Sequence, residues 1–253
     1  MEQDKSTYIK SKIDELLGLT IDDTRADQLA EFYEMIIEKN KVMNLTAITD
    51  FEEFVVKHFV DSLSIIKISS IKECFQKSVS ETSDIVNPDT EINIIDIGTG
   101  AGFPGIVIKI FFPHLKMVLV DSLNKRIKFL SVVCEELDLS DVVLVHGRAE
   151  EFAKENRNSF DVVTARAVSS FNVLLEYSIP IVKNNKFFVA MRGNDDSMTG
   201  INALKILNSK IVKKECFNLP YENSSRSIIL VKKFGFSDLK YPRKNSEIKK
   251  NPL

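Results

Sequence analysis

Residues 94–105, Ile-Ile-Asp-Ile-Gly-Thr-Gly-Ala-Gly-Phe-Pro-Gly, leave this chain few folds to choose from. The apolar, β-branched start suits a strand buried on both faces. Gly98, Gly100, Gly102 and Gly105 then let the backbone turn sharply and approach a ligand with no Cβ in the way. Ile106, Val107 and Ile108 open a helix, whose first N–H groups lack partners inside it and face whatever sits at the turn. Strand, glycine turn and helix in that order belong to a parallel α/β sheet, and the turn is a binding loop.

The chain beyond it repeats the pattern. Strands are predicted at 92–97, 116–120, 142–145, 160–164 and 187–191, with helices at 103–112, 123–137, about 150–155 and 170–177 between them. Alternation at this spacing implies right-handed crossovers in one sheet. Two last apolar runs, 210–217 and 227–231, are joined by a turn-rich link without helical pattern, so they are expected as an antiparallel hairpin. Ahead of the sheet, 6–17, 22–40 and 51–68 carry apolar residues at helical spacing, with Gly18 as a stop and Asp22 as a start. The expected organisation is a helical extension over 1–70, a surface loop or insertion over 71–91, an α/β domain over 92–234 and a basic tail over 235–253.

The glycine loop fits two ligands. As Gly100-x-Gly102-x-x-Gly105 it matches the dinucleotide fingerprint. As Asp96-x-Gly98-x-Gly100-x-Gly102 it resembles the first motif of the class I S-adenosylmethionine methyltransferases. Asp96 favours the second, because a carboxylate at the strand tip repels a pyrophosphate but suits a sulfonium and an ammonium. Asp121, ending the second strand, can take both ribose hydroxyls in either family. The terminal hairpin also resembles the methyltransferase topology, whereas a dinucleotide domain would add another crossover helix. The expected fold is therefore α/β, a Rossmann-like class I methyltransferase sheet, mostly parallel with a C-terminal antiparallel hairpin and an N-terminal helical extension.

Composition excludes several alternatives. The 253 residues are 44% hydrophobic, yet no apolar stretch reaches the ~20 residues of a membrane helix. The acidic start is not a secretory signal, so a cytoplasmic protein without membrane contact is expected. Cys74, Cys134 and Cys216 form neither a disulfide frame nor a zinc site, and His58, His114 and His146 show no metal spacing, so no metal is expected. The net charge of -2 hides an acid-rich first forty residues and a lysine-rich tail. That tail reads either as a phosphate contact or as a solvated, disordered end.

Ligands of such sheets lie at the carboxyl ends of the strands. Gly98 allows close backbone approach there, and Phe103 offers a flat apolar wall. After the third strand, Gly147-Arg148-Ala149-Glu150 can clamp an adenine edge with backbone N–H and an acid. Arg166 follows the fourth strand in an apolar setting. It reads as a structural partner of a nearby acid, or as a group facing the methionine end or an RNA, and it is the one candidate for a catalytic role.

Seven motifs in order resemble the RsmG (GidB) family of bacterial small-subunit ribosomal RNA guanine-N7 methyltransferases. They are Asn44-Leu45-Thr46, Lys57-His58-Phe59-Val60-Asp61-Ser62, the glycine loop with Phe103-Pro104-Gly105, and Val120-Asp121-Ser122-Leu123-Asn124-Lys125-Arg126. Arg148-Ala149-Glu150-Glu151, Thr164-Ala165-Arg166-Ala167 and Tyr241-Pro242-Arg243-Lys244 complete the set. The resemblance runs from about residue 20 to the end. It implies cofactor contacts at Gly98, Phe103, Ala149, Glu150 and Arg166; Asp96, Gly100, Gly102 and Asp121 join them on physical grounds. Two features depart from the family: residues 69–91 are longer than the usual link, and Arg192 stands where many relatives have lysine, which changes the donor geometry.

The reaction the resemblance implies is in-line transfer of the sulfonium methyl to guanine N7 of 16S ribosomal RNA. That nitrogen bears a lone pair and no proton, so positioning replaces a general base and no dedicated catalytic residue is expected. Lys125, Arg126, Arg192, Arg226, Arg243 and Lys244 are the expected phosphate contacts, the small ribosomal subunit the partner, and a monomer the working form. Asp121→Ala or Gly98→Val is expected to abolish cofactor binding and leave the fold intact. Three readings compete: a methyltransferase of another acceptor, an NAD-dependent oxidoreductase, and an assembly factor that binds ribosomal RNA without turnover.

Overall fold

The computed structural model describes residues 4–76, 92–166, 169–193, 197–220 and 224–253. Its strands are β1 (Asn93–Ile97), β2 (Lys116–Asp121), β3 (Val142–His146), β4 (Phe160–Arg166), β5 (Val182–Arg192), β6 (Ser209–Leu219) and β7 (Ser224–Lys233). They form one sheet in the order β3-β2-β1-β4-β5-β7-β6. The first five are parallel, and β7 runs antiparallel to both neighbours, setting Leu230 opposite Val189 and Val231 opposite Ile211. The expected terminal hairpin is present. Strand order reverses between β1 and β4, which opens a crevice at their carboxyl ends.

Side-chain parity on β1 decides what each face of the sheet holds. Ile95 and Ile97 point one way, into a core with Val163, Ala165, Phe188 and Ile229. Ile94 points the other way, into a core shared with Met117, Leu119 and Val162. The helices covering that second face are α1 (Lys5–Leu17), α2 (Asp23–Met43), the short α3 (Phe51–Phe54), α4 (Asp61–Leu63) and α5 (Ser69–Gln76), with α6 (Gly105–Phe111) and α7 (Asn124–Glu136). The first face is covered chiefly by α8 (Ala149–Glu155), α9 (Phe171–Ser178) and α10 (Ile201–Ile206). A last helix, α11 (Asn245–Lys250), packs Ile248 against Val173 and Tyr177 of α9.

The entry into the sheet follows local capping rules. Asp22 Oδ1 accepts from Arg25 N at 2.8 Å to start α2, and Gly18 ends α1 at φ 62°. The stretch expected as one helix over 51–68 is helical but not uniform. A π-helical turn spans Val55–Val60 between α3 and α4, and a 3₁₀ turn spans Ser64–Lys67. The wide turn carries His58 and lies next to the site, where such turns concentrate.

One expectation about the polar regions is corrected, and one of the two readings of the tail is excluded. The loop expected over 71–91 begins with helix, because Ile71 and Phe75 bury one side of α5 against the core; residues 77–91 lie outside the described residues. The basic tail is no solvated end. Arg157 donates to the carbonyls of Tyr241 and, at 2.6 Å, of Ser237, while Tyr241 and Ile248 are buried. A tail that holds two apolar side chains and satisfies an arginine is part of the fold.

The glycine loop is also a packing element. Gly102 sits at φ 106°, and a Cβ there would meet Ile106 Cγ1 at 2.6 Å and Leu130 Cδ2 at 3.1 Å. Gly102→Ala is therefore expected to cost about 1–3 kcal/mol through overpacking and a disallowed backbone angle. Urea denaturation reads that cost directly; an unchanged midpoint would mean the loop tolerates a side chain there.

Candidate cofactor-binding site

The tips of β1, β2, β3 and β4 enclose a cavity of about 430 Å³, within the range of small-molecule sites. Gly98, Asp121, Ala149, Glu150 and Arg166 line it, as the sequence suggested, and so does Arg126. Asp121 is 3% exposed and anchors the centre. Its carboxylate accepts from Leu123 N at 2.8 Å, Gly100 N at 3.0 Å and Arg126 Nη1 at 3.2 Å. A carboxylate has about four acceptor positions, so one is free, and a second opens if Arg126 swings away. A ribose diol needs two.

Four expected contacts lie elsewhere. Asp96 is 0% exposed, because parity turns it away from the crevice and under α6. There it accepts from Gly105 N at 3.1 Å and Thr164 Oγ1 at 3.0 Å, and burial raises its pKa to about 6. Asp96 shapes the loop and does not face the cavity. Gly102 is packed against Ile106 and Leu130, and Gly100 donates its N–H to Asp121. Phe103 is enclosed by rings, with its centroid 5.5 Å from Phe32, 5.8 Å from Phe54 and 4.5 Å from His58. Its flat face serves the protein, not the cavity.

Arg166 lies at the cavity and is also paired within the protein. Its side chain lines the cavity, yet Nη1 donates to Asp61 Oδ2 at 3.1 Å and Lys57 O at 3.3 Å, and its guanidinium lies 4.9 Å above the Phe103 ring. Nη2 lies 3.2 Å from His58 Nδ1. Because arginine only donates, that nitrogen must be the bare one, and the imidazole proton sits on Nε2, 2.9 Å from Thr46 Oγ1. Thus the motifs around Thr46, His58, Asp61, Phe103 and Arg166 are one connected cluster that clamps the helical extension onto the tip of β4.

His58 makes that clamp acid-sensitive. Burial, then the charges of Arg166, Arg226 and Lys57, lower its pKa from 6.5 to about 3. Between those values the unfolded chain binds the proton and the folded one does not, so stability rises with pH. The contribution is complete above pH 6.5 and is lost as pH falls toward 3, on the order of 5 kcal/mol. Asp96 acts in the opposite sense, gaining stability as pH falls through 6. Urea titrations from pH 7 to 4 should therefore show a flatter acid loss in His58→Gln than in wild type, both sharing the Asp96 effect. Equal slopes would contradict the neutral, buried imidazole.

Of the expected phosphate contacts, Lys125 and Lys244 are exposed, while Arg192 Nη1 donates to Ser169 O at 2.6 Å. Arg226 and Arg243 are engaged in internal ties. Arg226 Nε donates to Asp61 Oδ1 at 3.2 Å, and Arg243 forks onto Glu176 at 2.8 and 2.6 Å. Buried carboxylates need such partners, and Glu176 is 0% exposed. Sequence reading missed Tyr177, Asn245 and Lys249 in the cavity wall. Only the last pair left a trace: spaced by four, they share one face of a short helix.

Residues 25–216 match the GidB family, described as rRNA small subunit methyltransferase G. The chain belongs to the GidB family. Relatives of that name match along most of the chain: one from Alkaliphilus metalliredigens is 42% identical over 94% of each chain. Another, from Acetivibrio thermocellus, is 45% identical over 93% of this chain and 92% of its own. A solved structure of a putative sarcosine dimethylglycine methyltransferase from Galdieria sulphuraria has a TM-score of 0.53 at 10% identity, covering 73% of this chain and 88% of that one. The last likeness concerns the fold alone, the class I methyltransferase sheet.

Proposed function

We propose that this chain transfers the methyl group of S-adenosylmethionine to N7 of a guanine in 16S ribosomal RNA. The observation that carries the reading is a carboxylate, Asp121, held at the centre of a strand-tip cavity with acceptor capacity to spare, in a chain of the GidB family. Those residues fit the cofactor. Asp121 would take the ribose, Gly98 allows the backbone to come close, and Ala149 with Glu150 closes the far end. The near end, at the β4 tip, is walled by Arg166. When bound, the cofactor supplies an electrophilic methyl that an unprotonated ring nitrogen can accept without a base.

The protein's part is then placement. Glycine turns fix the loop, Asp96 locks it to α6, and the aromatic cluster under Arg166 keeps the β4 tip rigid. Reactive groups held about 3–3.5 Å apart and in line gain much of their rate from that placement alone. Lys125, Lys244 and Arg126 remain as cations for RNA phosphate, Arg126 once a ribose replaces it on Asp121. A folded subunit presents guanine in loops and bulges, where N7 is open to a protein surface. The protein works as a monomer in the cytoplasm under this reading.

Purified protein incubated with methyl-labelled S-adenosylmethionine and small ribosomal subunits lacking the modification tests this reading. After nuclease digestion, label is expected in 7-methylguanosine alone. Label in another nucleoside would replace the N7 assignment, and label in ribosomal protein would replace RNA as the acceptor.

A further inference from the structure

Beyond Asp121, at the β3 tip, the cavity ends in a wall where Glu150, a contact the family resemblance implies, stands beside two side chains it does not, Tyr177 and Asn245. Glu150 belongs to it and is only 6% exposed. Among the described residues its carboxylate has no hydrogen-bond or ion-pair partner, and the residue lines the cavity. Beside it stands Tyr177, whose hydroxyl donates to Asn245 Oδ1 at 2.7 Å. Burial, then Glu150 and Glu176, push the Tyr177 hydroxyl up to about 12, so it stays protonated at any working pH.

In that bond the Asn245 oxygen is the acceptor. The NH₂ of the amide is left over, and among the described residues that NH₂ has no protein partner. The wall therefore offers one unsatisfied acceptor, the Glu150 carboxylate, and one unsatisfied donor pair, the Asn245 amide. The six-membered edge of adenine carries the complement: an amino donor at N6 and an acceptor at N1. Hypoxanthine reverses both, with an acceptor at O6 and a donor at N1.

We propose that Asn245, its amide oriented by Tyr177, reads the adenine of the cofactor together with Glu150, so that the C-terminal segment is part of the cofactor site. Asp121 on the ribose sets the direction. It leaves the base on the Glu150 side and the amino-acid end on the Arg166 side of the cavity. The segment is delivered by its own ties: Arg243 forks onto Glu176 of α9, and Ile248 packs on Tyr177. Lys249, one turn along from Asn245, lines the same wall and the groove outside it. This inference rests on the cofactor reading above and adds a residue that sets base specificity.

Calorimetric binding of S-adenosylhomocysteine and S-inosylhomocysteine to the purified full chain tests it without turnover. A site that hydrogen-bonds its ligand rejects the mismatched analogue strongly, and wild type is expected to prefer the adenosyl form by at least about 100-fold. Asn245→Asp replaces the donor by an acceptor and should narrow that ratio by about tenfold or more. Tyr177→Phe frees the amide to rotate and should narrow it less. Asp at the first position of α11 favours the helix, so folding is kept, and a melting curve checks it. A ratio equal to wild type in a folded Asn245→Asp variant would overturn the proposal. Failure of wild type to bind either ligand would instead overturn the cofactor reading, and the pair with it.

Discussion

Asp121→Ala is expected to reduce binding of S-adenosylmethionine by at least about 100-fold. Two hydroxyl bonds to an ionised acceptor contribute roughly 1.5–3 kcal/mol each, and the variant supplies neither. It also leaves Gly100 N and Leu123 N without the acceptor that orders the loop, so the loss falls on the site and on its scaffold together. The sequence suggested that the fold would survive this change untouched. With two backbone donors stripped of their partner, a lowered melting temperature is expected as well. Asp121→Asn keeps an acceptor oxygen for one of them and should melt higher than the alanine variant while still binding weakly. Wild-type affinity in either variant, measured by calorimetry, would remove Asp121 from the site.

Arg166→Met is expected to have the largest effect on stability. It strands Asp61, 5% exposed, with Arg226 as its remaining cation, and removes the donor that holds His58 in one tautomer. Breaking a buried pair by deleting one partner costs about 3–5 kcal/mol, so the melting temperature should fall on the order of 10 °C. Arg166→Lys keeps the charge but cannot fork between Asp61, Lys57 O and His58, and should recover part of the loss. Thermal denaturation decides it. A melting temperature within a degree or two of wild type would mean that the cluster contributes little and that Arg166 serves only the cavity.

The parts of this fold legible in the sequence are those written in periodicity. Val118, Val163 and Ala190 lie in runs of apolar residues bounded by turns, which is why the strands were found and their order of appearance understood. The hairpin followed from the missing helical pattern between Lys210 and Val231. What stayed hidden depends on side-chain direction. Asp96 sits in a functional motif, yet one step of parity sends it into the core, where a carboxylate looks the same in sequence as one facing a ligand. Phe103 was read as a ligand wall; the wall it forms is for His58, brought in from 45 residues away by the folding of the extension, and for Arg166, 63 residues away at the tip of β4. Arg226 and Arg243 were read as phosphate contacts because their partners, Asp61 and Glu176, are distant in sequence.

The tail shows the same limit from the other side. Its lysines outnumber its acids, which is also the composition of a disordered end. The residues that decide between the two, Tyr241 and Ile248, are two apolar side chains in a polar stretch. Two such residues carry no periodicity, and only the pockets that receive them reveal that the segment is fixed. Tyr177 and Asn245 meet for that reason alone, across 68 residues of chain.

A crystal structure of the protein with S-adenosylhomocysteine tests the placement of the site most directly. The account predicts the ribose hydroxyls on the Asp121 carboxylate with Arg126 displaced, the adenine edge between Glu150 and Asn245, and the amino-acid end toward Arg166. Ligand density outside this cavity, or a ribose that leaves Asp121 bound only to Gly100, Leu123 and Arg126, would contradict it.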